Sequence, residues 1–308
     1  MICRYSNLKT RAKLFLVMTG LQLQEFEILL EDVSTEYGAM RGKRLKMEGR
    51  QRAVGGGMEP CLQMQDQVLL TIIWLRHYPI HEVLGYLFGV SDTTSGRVTN
   101  WILPILEKLG RDQMKMPDPG RKRRKKLHEL LSEIPDLSIA IDTFEQRIER
   151  AKDHKQADAH YSGKKKQHTL KTQVAIDVET GEIVDVSESK PGPQADIKVL
   201  EESGLMNKLP TGVGVIGDLA YIGITDLHPE GNAATPRRKP RGKERPPEDI
   251  AFNREFARRR VVAEHSIGRM RRYQALAQMD RNHFKNHASR TCAVAGLANR
   301  QIRAGLYY

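Results

Sequence analysis

Three carboxylates stand where a folded chain could gather them: Asp142, Asp218 and Glu264. Asp142 closes the apolar run Leu137-Ser-Ile-Ala-Ile-Asp142, and Asp218 closes Val213-Gly-Val-Ile-Gly-Asp218. Short apolar runs of this kind read as buried strands. Glu264 lies in an arginine-studded helical stretch from Arg258 to Arg272. Two acids at adjacent strand ends, joined by a third on a packing helix, could bridge two magnesium ions. Such ions sit about 3.5–4 Å apart and clamp the attacking and leaving oxygens of a phosphodiester. Magnesium takes few protein carboxylates and fills its shell with water and phosphate, so three acids suffice. The competing reading makes both aspartates helix or turn caps, and Glu264 a surface partner of Arg260 or Arg271 worth about 0–1 kcal/mol. By spacing, Arg260, Glu264 and Arg271 share one helical face. Without metal or DNA the acids repel, so Glu264 is expected to swing out or pair with an arginine, while a sheet would fix the aspartates.

The elements that must position these acids follow from the pattern. Leu137 to Asp142 is a short buried strand. Thr169 to Val178 and Glu182 to Ser189 are β-rich runs around the hairpin signal Glu179-Thr-Gly-Glu182. Ala195 to Leu205 reads as a helix, Val213 to Asp218 as a strand, and Pro229 to Pro247 as a Pro/Arg/Lys loop. Glu248 to Met279 is one long helix, with room for a break, and Lys285 to Leu306 a last alanine-rich helix. In that order the first strand and the one after the helix lie side by side in a mixed sheet. Their C-terminal ends share one edge, where α/β sheets place ligands. The fold class is therefore α/β: a ribonuclease-H-like mixed-sheet domain preceded by an α-helical one.

The helical half divides at glycines. A helix runs from about Leu21 to Glu36, and a polar segment ends at Gly55-Gly-Gly57. Leu62 to Leu109 is strongly helical, with Leu69, Ile72 and Ile73 on one apolar face. Pro79 suits the first turn of the next helix, whose face is Val83, Leu84, Leu87 and Phe88. Gly89 suits its C-cap, and Ser91 the N-cap of a third helix running into Val98, Trp101 and Ile102. That order fits a helix-turn-helix, and equally a plain helical bundle. If it meets DNA, the first turns of the third helix reach base edges. Of Asp92, Thr93, Thr94 and Arg97, Thr94 and Arg97 fit best, because Asp92 would repel phosphate. The expected division is 1–60 helical segment, 61–116 helix-turn-helix, 117–135 basic linker and 136–308 catalytic domain.

Charge points to an anionic partner. The 308-residue chain carries a net +12, with a pI near 9.6. Residues 237–272 hold thirteen Lys/Arg against five Asp/Glu, a surplus of eight that only a polyanion would neutralise. Nucleic acid and acidic membrane are the two candidates, and no segment has 18 uncharged apolar residues to cross a membrane. The run Arg121 to Lys126 reads as a solvated linker. Lys164, Lys165 and Lys166, in Tyr161-Ser-Gly-Lys-Lys-Lys-Gln-His168, form either a loop that meets phosphates or a solvated turn. Cys3, Cys61 and Cys292 are few and scattered, which indicates a reducing compartment, the cytoplasm. Two motifs are refused. Gly212-Val-Gly-Val-Ile-Gly217 matches the dinucleotide fingerprint but places its glycines within a strand. His81-Glu82 lacks the second histidine of a zinc helix.

Taken together, these residues resemble bacterial insertion-sequence transposases with a D-D-E catalytic set, the group related to Harbinger elements. The similarity runs from Tyr5, Leu8-Lys9 and Thr19-Gly-Leu21 through Tyr78-Pro79 and Leu87-Phe-Gly-Val-Ser91. It continues in Asp142 with Glu145, Tyr161 to Lys166 with His168, Pro191-Gly192 with Asp196, Gly217-Asp218 with Tyr221 and Gly223, and Asn253-Arg254. Its most specific part is Arg260, Glu264-His265 and Arg271. The resemblance implies a transposase of the bacterial cytoplasm and nucleoid. Its helix-turn-helix and basic surfaces would hold terminal inverted repeats. Asp142, Asp218 and Glu264 would bind two Mg²⁺, with Mn²⁺ as a substitute, and Arg260 and Arg271 would position phosphates. Hydrolysis at an element end, then attack of the freed 3′-hydroxyl on target DNA, would need a homodimer or larger assembly on double-stranded DNA. The alternative from another class is a catalytically silent DNA-binding protein derived from such a transposase; a nuclease without joining activity differs only in product.

Overall fold

The computed structural model describes residues 3–45, 60–120, 138–228, 232–282 and 286–306, with backbone alone for 43–45. The basic run Arg121 to Lys126 lies outside the described residues. The chain forms two compact units, one of Met1–Arg111, Tyr273–Ala275 and Cys292–Tyr308, the other of Asp112–Arg272 and Leu276–Thr291.

The first unit is helical. Two short helices that the sequence pattern does not announce, α1 (Tyr5–Leu8) and α2 (Ala12–Thr19), precede α3 (Leu23–Leu45). Then come α4 (Met64–His77), α5 (His81–Phe88) and α6 (Asp92–Gln113). Tyr5 stacks on Phe26, and Phe15 meets Phe26 edge-on, closing the small core that α1 and α2 share with α3. Gly89 ends α5 in the left-handed region that glycine enters without strain. Ser91 caps α6 as expected, its hydroxyl oxygen accepting the Thr94 N–H at 3.1 Å. Two details of α5 differ from the sequence pattern. Its N-cap is Ile80, so Pro79 precedes the cap, and Val83 faces solvent while Leu84 and Phe88 are buried. His81 stacks on Trp74 and bonds Ser95, a structural role that agrees with refusing it as a metal ligand.

The second unit is built on a mixed sheet. Its strands are β1 (Ser138–Arg147), β2 (Tyr161–Ser162), β3 (Gln167–Asp177), β4 (Ile183–Val186), β5 (Lys190–Pro191), β6 (Gly214–Ile216) and β7 (Ala233–Ala234). α7 (His154–His160) lies before β2, α8 (Asp196–Ser203) follows β5, and α9 (Ile224–Leu227) follows β6. α10 (Pro247–Met270), α11 (Gln274–Ala277) and α12 (His287–Arg303) close the chain. β1 is central, antiparallel to β3 on one side and parallel to β6 on the other. β4 continues the antiparallel side and β7 the parallel side. This is the ribonuclease-H-like order expected. Ile139, Ile141, Val215, Leu200 and Ile224 build the core on one face. Ala140, Asp142 and Phe144 alternate onto the other, where α10 packs on β1 and β3.

Three expectations need correction here. β1 runs five residues past Asp142, so the acid sits within the strand, because β3 pairs it as far as Arg147. The segment from Pro229 to Pro247 is not all loop: Ala233 and Ala234 pair with Val215 and Ile216, and two small residues give a pattern search nothing to find. The strand before Asp218 is only Gly214–Ile216. The long helix read from Glu248 does break, after Met270, as the pattern allowed.

A polar knot fastens β1 to the start of α12. His287 shares hydrogen bonds with Gln146 Oε1 at 2.8 Å and Ser189 Oγ at 2.6 Å, and Arg290 pairs with Asp280, both side chains fully buried. Burial above all, then the Arg290 charge, pushes the His287 imidazole down from 6.5 to about 4, and Asp280 only partly offsets them. Native His287 thus stays neutral where the unfolded chain already takes up a proton. Stability should fall as pH drops from about 6.5 to about 4, by at most about 3 kcal/mol from this group. Denaturant unfolding across that window should show a shallower pH slope for His287→Gln than for the parent. Parallel slopes would remove His287 as the source.

Candidate active site at the β1–β6 edge

The register of two strands brings the aspartates together. Ser138, Ile139 and Ala140 pair with Gly214, Val215 and Ile216. Two residues past the last pair, Ala140 with Ile216, stand Asp142 and Asp218. Neighbouring strands lie about 4.8 Å apart, so equal steps along both chains leave the carboxylates adjacent. Asp142 is held at its ordinary value by neither its surroundings nor its neighbour. Burial raises its carboxyl most, the nearby Asp218 charge raises it further, and Arg260 and the Thr143 N–H pull it back.

Each aspartate has one oxygen fixed locally. Asp142 Oδ1 accepts the Thr143 N–H at 2.8 Å. Asp218 caps the 3₁₀ turn Leu219–Tyr221, with Oδ1 accepting the Ala220 N–H at 2.9 Å. These caps aim the carboxylates without consuming them. Among the described residues, the second oxygen of Asp218 accepts no hydrogen bond.

Glu264 reaches Asp142 through an arginine. Arg260 donates from one nitrogen to Asp142 Oδ2 at 3.1 Å and from the other to Glu264 Oε1 at 2.8 Å. Arg260 and Asp142 are largely withdrawn from water, at 18% and 21% exposure, whereas Glu264 is 58% exposed. This is the arginine-paired state expected of the acids alone. Among the described residues no group of three or more His, Cys, Asp or Glu is gathered closely enough to hold a metal ion. The donor set still suits a hard cation: two adjacent carboxylates, with an exposed third tied to Asp142 through Arg260. Asp142 and Asp218 would hold such an ion, and the Arg260 guanidinium already places positive charge on Asp142.

Residues beyond the expected set shape the site. Tyr221 is fully buried beneath the acids, its hydroxyl donating to Gln173 Oε1 at 3.4 Å. Burial, then the charges of Asp196, Asp142 and Asp218, hold that hydroxyl protonated well above the usual phenol range. Gly217 has to be glycine, since a Cβ there would lie 2.8–2.9 Å from the Tyr221 side chain. Asn253 clamps the chain after β7 to α10, accepting the Arg237 N–H at 2.8 Å and donating to its carbonyl at 2.9 Å. Lys171 pairs with Asp196 at 2.6 Å below the same edge. Tyr221, Asp196 and Asn253 stand among the residues of the family resemblance, but nothing in their spacing assigns these roles.

Other expected residues lie elsewhere. Arg271 is the exposed C-cap of α10, outside the Arg260 contact set. Lys164, Lys165 and Lys166 occupy the exposed turn between β2 and β3. At the start of α6, Arg97 is exposed, and Thr94 is half-buried with its hydroxyl accepting from Ser91 at 3.0 Å.

Comparison with known proteins agrees with this arrangement. Residues 141–299 match the DDE superfamily endonuclease family, and residues 60–112 match the helix-turn-helix of that superfamily. The chain belongs to the DDE superfamily endonucleases. Asp142, Asp218 and Glu264 all fall within the matched endonuclease segment, and α4, α5 and α6 within the helix-turn-helix segment up to residue 112. A relative from Microchaete diplosiphon, described as a probable transposase for insertion sequence element IS702, is 30% identical over 293 residues, 94% of this chain and 95% of the relative. Two solved structures share low identity with this DDE endonuclease. The Mos1 transposase paired-end complex with left transposon end has 13% identity, 66% coverage of each chain and a TM-score of 0.19. The pre-cleavage Mos1 transpososome has 12% identity, coverage of 89% and 88%, and a TM-score of 0.22. No helix among the described residues is long and apolar enough to cross a membrane.

The contact of Gly217 with Tyr221 yields a test. Gly217→Ala must displace the ring or the strand end that carries Asp218, and a misplacement of about 1 Å can cost about 100-fold in rate. Strand cleavage should fall by about that factor, with duplex binding within about two-fold of the parent. Parent-like cleavage would show that Asp218 does not depend on this packing.

Proposed function

We propose that this DDE superfamily endonuclease is a DNA transposase that holds the ends of its element through α4–α6 and cuts and joins strands at the Asp142–Asp218 edge. The observation that carries the reading is the pairing of these two acids by strand register, with Arg260 joining Asp142 to Glu264. A divalent cation held there, Mg²⁺ or Mn²⁺ and two ions at full occupancy, would supply the charge that ionises water and stabilises the leaving oxygen. Asp142 and Asp218 bind and space that charge. Glu264 turns inward from its exposed position to complete the set. Arg260, no longer needed as counter-ion to Asp142, directs its planar fork at the substrate phosphate. Water first opens the phosphodiester at the element end, and the freed 3′-hydroxyl then attacks target DNA in the same site.

Recognition falls to α6. Arg97 offers two donors suited to a guanine edge, and Thr94 lies one turn before it. Lys164, Lys165, Lys166 and Arg271 add sequence-independent phosphate contacts. The reading keeps residues 61–116 as the DNA-reading domain and 136–308 as the catalytic one. Two ends must be cut, so the working assembly is a homodimer or larger on DNA. The intact acids favour this over a catalytically silent DNA-binding protein.

The test uses duplexes carrying the DNA that flanks the element on both sides, with Mg²⁺. Asp142→Asn, Asp218→Asn and Glu264→Gln keep side-chain shape and remove an anionic ligand. Each should abolish cleavage and joining while binding ends within about two-fold of the parent. Thr94→Ala with Arg97→Ala should give the reverse pattern, weakening end binding by about ten-fold or more, at about 1–3 kcal/mol per base contact. Near-parent cleavage by any amide variant would remove that residue from the site.

A further inference from the structure

A second feature of the catalytic unit lies away from the acids. Arg147 at the end of β1, Ile148, Glu149 and Arg150 just after it, Tyr161, Lys166, Gln167 and His168 in the β2–β3 hairpin, and Met279 line a cleft of roughly 340 Å³; Glu149 is half-buried and engaged in a contact of its own. Three properties stand together there. Tyr161 is 47% exposed although aromatic, and its ring meets His168 edge-on at 5.4 Å. Arg147, Arg150 and Lys166 are exposed, and among the described residues none has a carboxylate partner. The floor is apolar, from the buried Ile148 and the half-buried Met279. Lys166 is also held at φ +52, in the left-handed region, by the turn that presents it.

The ligand these groups fit has a flat apolar body and an anionic tail. His168 Nδ1 donates to the Ala157 carbonyl at 3.0 Å, which leaves Nε2 as the ring nitrogen not held by that contact. A planar group with polar edges, stacked on Tyr161, satisfies the aromatic wall and that ring nitrogen. A phosphate beside it satisfies the three cations. The volume admits one such unit and excludes a duplex about 20 Å across.

We propose that this cleft captures a single unpaired nucleotide of the DNA strand near the cleaved bond, its base stacked on Tyr161 and its phosphate held by Arg147, Arg150 and Lys166. The proposal rests on the transposase reading for its source of DNA. Arg147 lies five residues beyond Asp142 on β1, about 16 Å at roughly 3.3 Å per residue, and the odd spacing turns its side chain to the opposite face of the sheet, so the strand would pass round the end of β1 to reach the cleft. The distance along β1 is about five nucleotide steps at 3.4 Å each. Lys164 and Lys165, on the same turn, would guide the strand toward the cleft.

The test uses the full chain in EDTA, so no cleavage intervenes. The probes are a single-stranded 15-mer with one 5-iodouracil, the same sequence as a duplex, and free thymidine monophosphate. Ultraviolet cross-linking should join the single strand to Tyr161 or His168. Tyr161→Ala should weaken single-strand binding about ten-fold, and Tyr161→Phe within about two-fold of the parent, because stacking needs the ring and not the hydroxyl. Duplex binding should stay within about two-fold for both variants. Tyr161 is exposed, so its replacement leaves the core intact, and Tyr161→Phe controls for folding. Cross-links only outside the cleft, single-strand affinity unchanged in Tyr161→Ala, or equal losses for single strand and duplex would each overturn the proposal. So would saturable binding of thymidine monophosphate that displaces the 15-mer, since the cleft would then be a free-nucleotide site. Cleavage by the parent in Mg²⁺ is scored separately. Cleavage without capture sinks the cleft alone, and capture without cleavage sinks the catalytic reading alone.

Discussion

Like charges do not gather unaided. The sheet forces Asp142 and Asp218 together through three parallel residue pairs between β1 and β6, and Arg260 makes that juxtaposition tolerable. Burial works against the Asp142 charge, and Asp218 adds to the cost. Arg260 compensates while also tethering Glu264. One guanidinium therefore pairs with two acids, Asp142 and Glu264, while the strand register holds Asp218 beside Asp142. A bound cation and a DNA phosphate would redistribute these same contacts: metal charge replaces Arg260 on the acids, and Arg260 meets the phosphate. The sheet supplies rigidity for the two aspartates. The helix supplies latitude for the third acid, through an exposed side chain at the i+4 position from Arg260.

The surrounding contacts keep the edge in place. Tyr221 fills the space under both aspartates and demands a glycine at 217. Asn253 binds the strand-connecting chain to the helix that carries Arg260. The His287 and Arg290 knot secures the far end of β1. In the helical unit, close approach matters in a similar way. A Cβ on Gly110 would lie 2.4 Å from the Cys292 carbonyl, and one on Gly296 2.6 Å from Gly110 Cα. Such contacts leave no room for larger side chains where α6 meets α12.

Much of this was legible in the residues. Apolar runs ending in Asp142 and Asp218 revealed the strands, the Gly181 turn the hairpin, and Ser91 and Gly89 the helix ends, because each is a local signal. What escaped was non-local. β7 is two alanines, recognisable only when β6 lies beside them. The extension of β1 beyond Asp142 depends on β3, and its alternation into Gln146 and Arg147 looks polar in isolation. Val83 was expected inside because helical periodicity marks a face without saying how wide the covered stripe is. The i,i+4 pair of Arg260 with Glu264 is legible in the helical spacing, but the contact of Arg260 with Asp142 is not, because it requires the packing of α10 on β1. The cleft at Tyr161 joins three chain segments, and Arg147 and Arg150 carried no motif.

The central claim is that the Asp142–Asp218 pair is the metal-binding edge and that Arg260 yields its contact when metal arrives. Anomalous scattering from crystals grown with Mn²⁺ and an element-end duplex tests this directly. The account predicts a manganese peak bonded to both Asp142 and Asp218, with the Arg260 guanidinium off Asp142 and turned to a DNA phosphate. Manganese bound elsewhere, or bound while the Arg260–Asp142 pair stays closed, would contradict it.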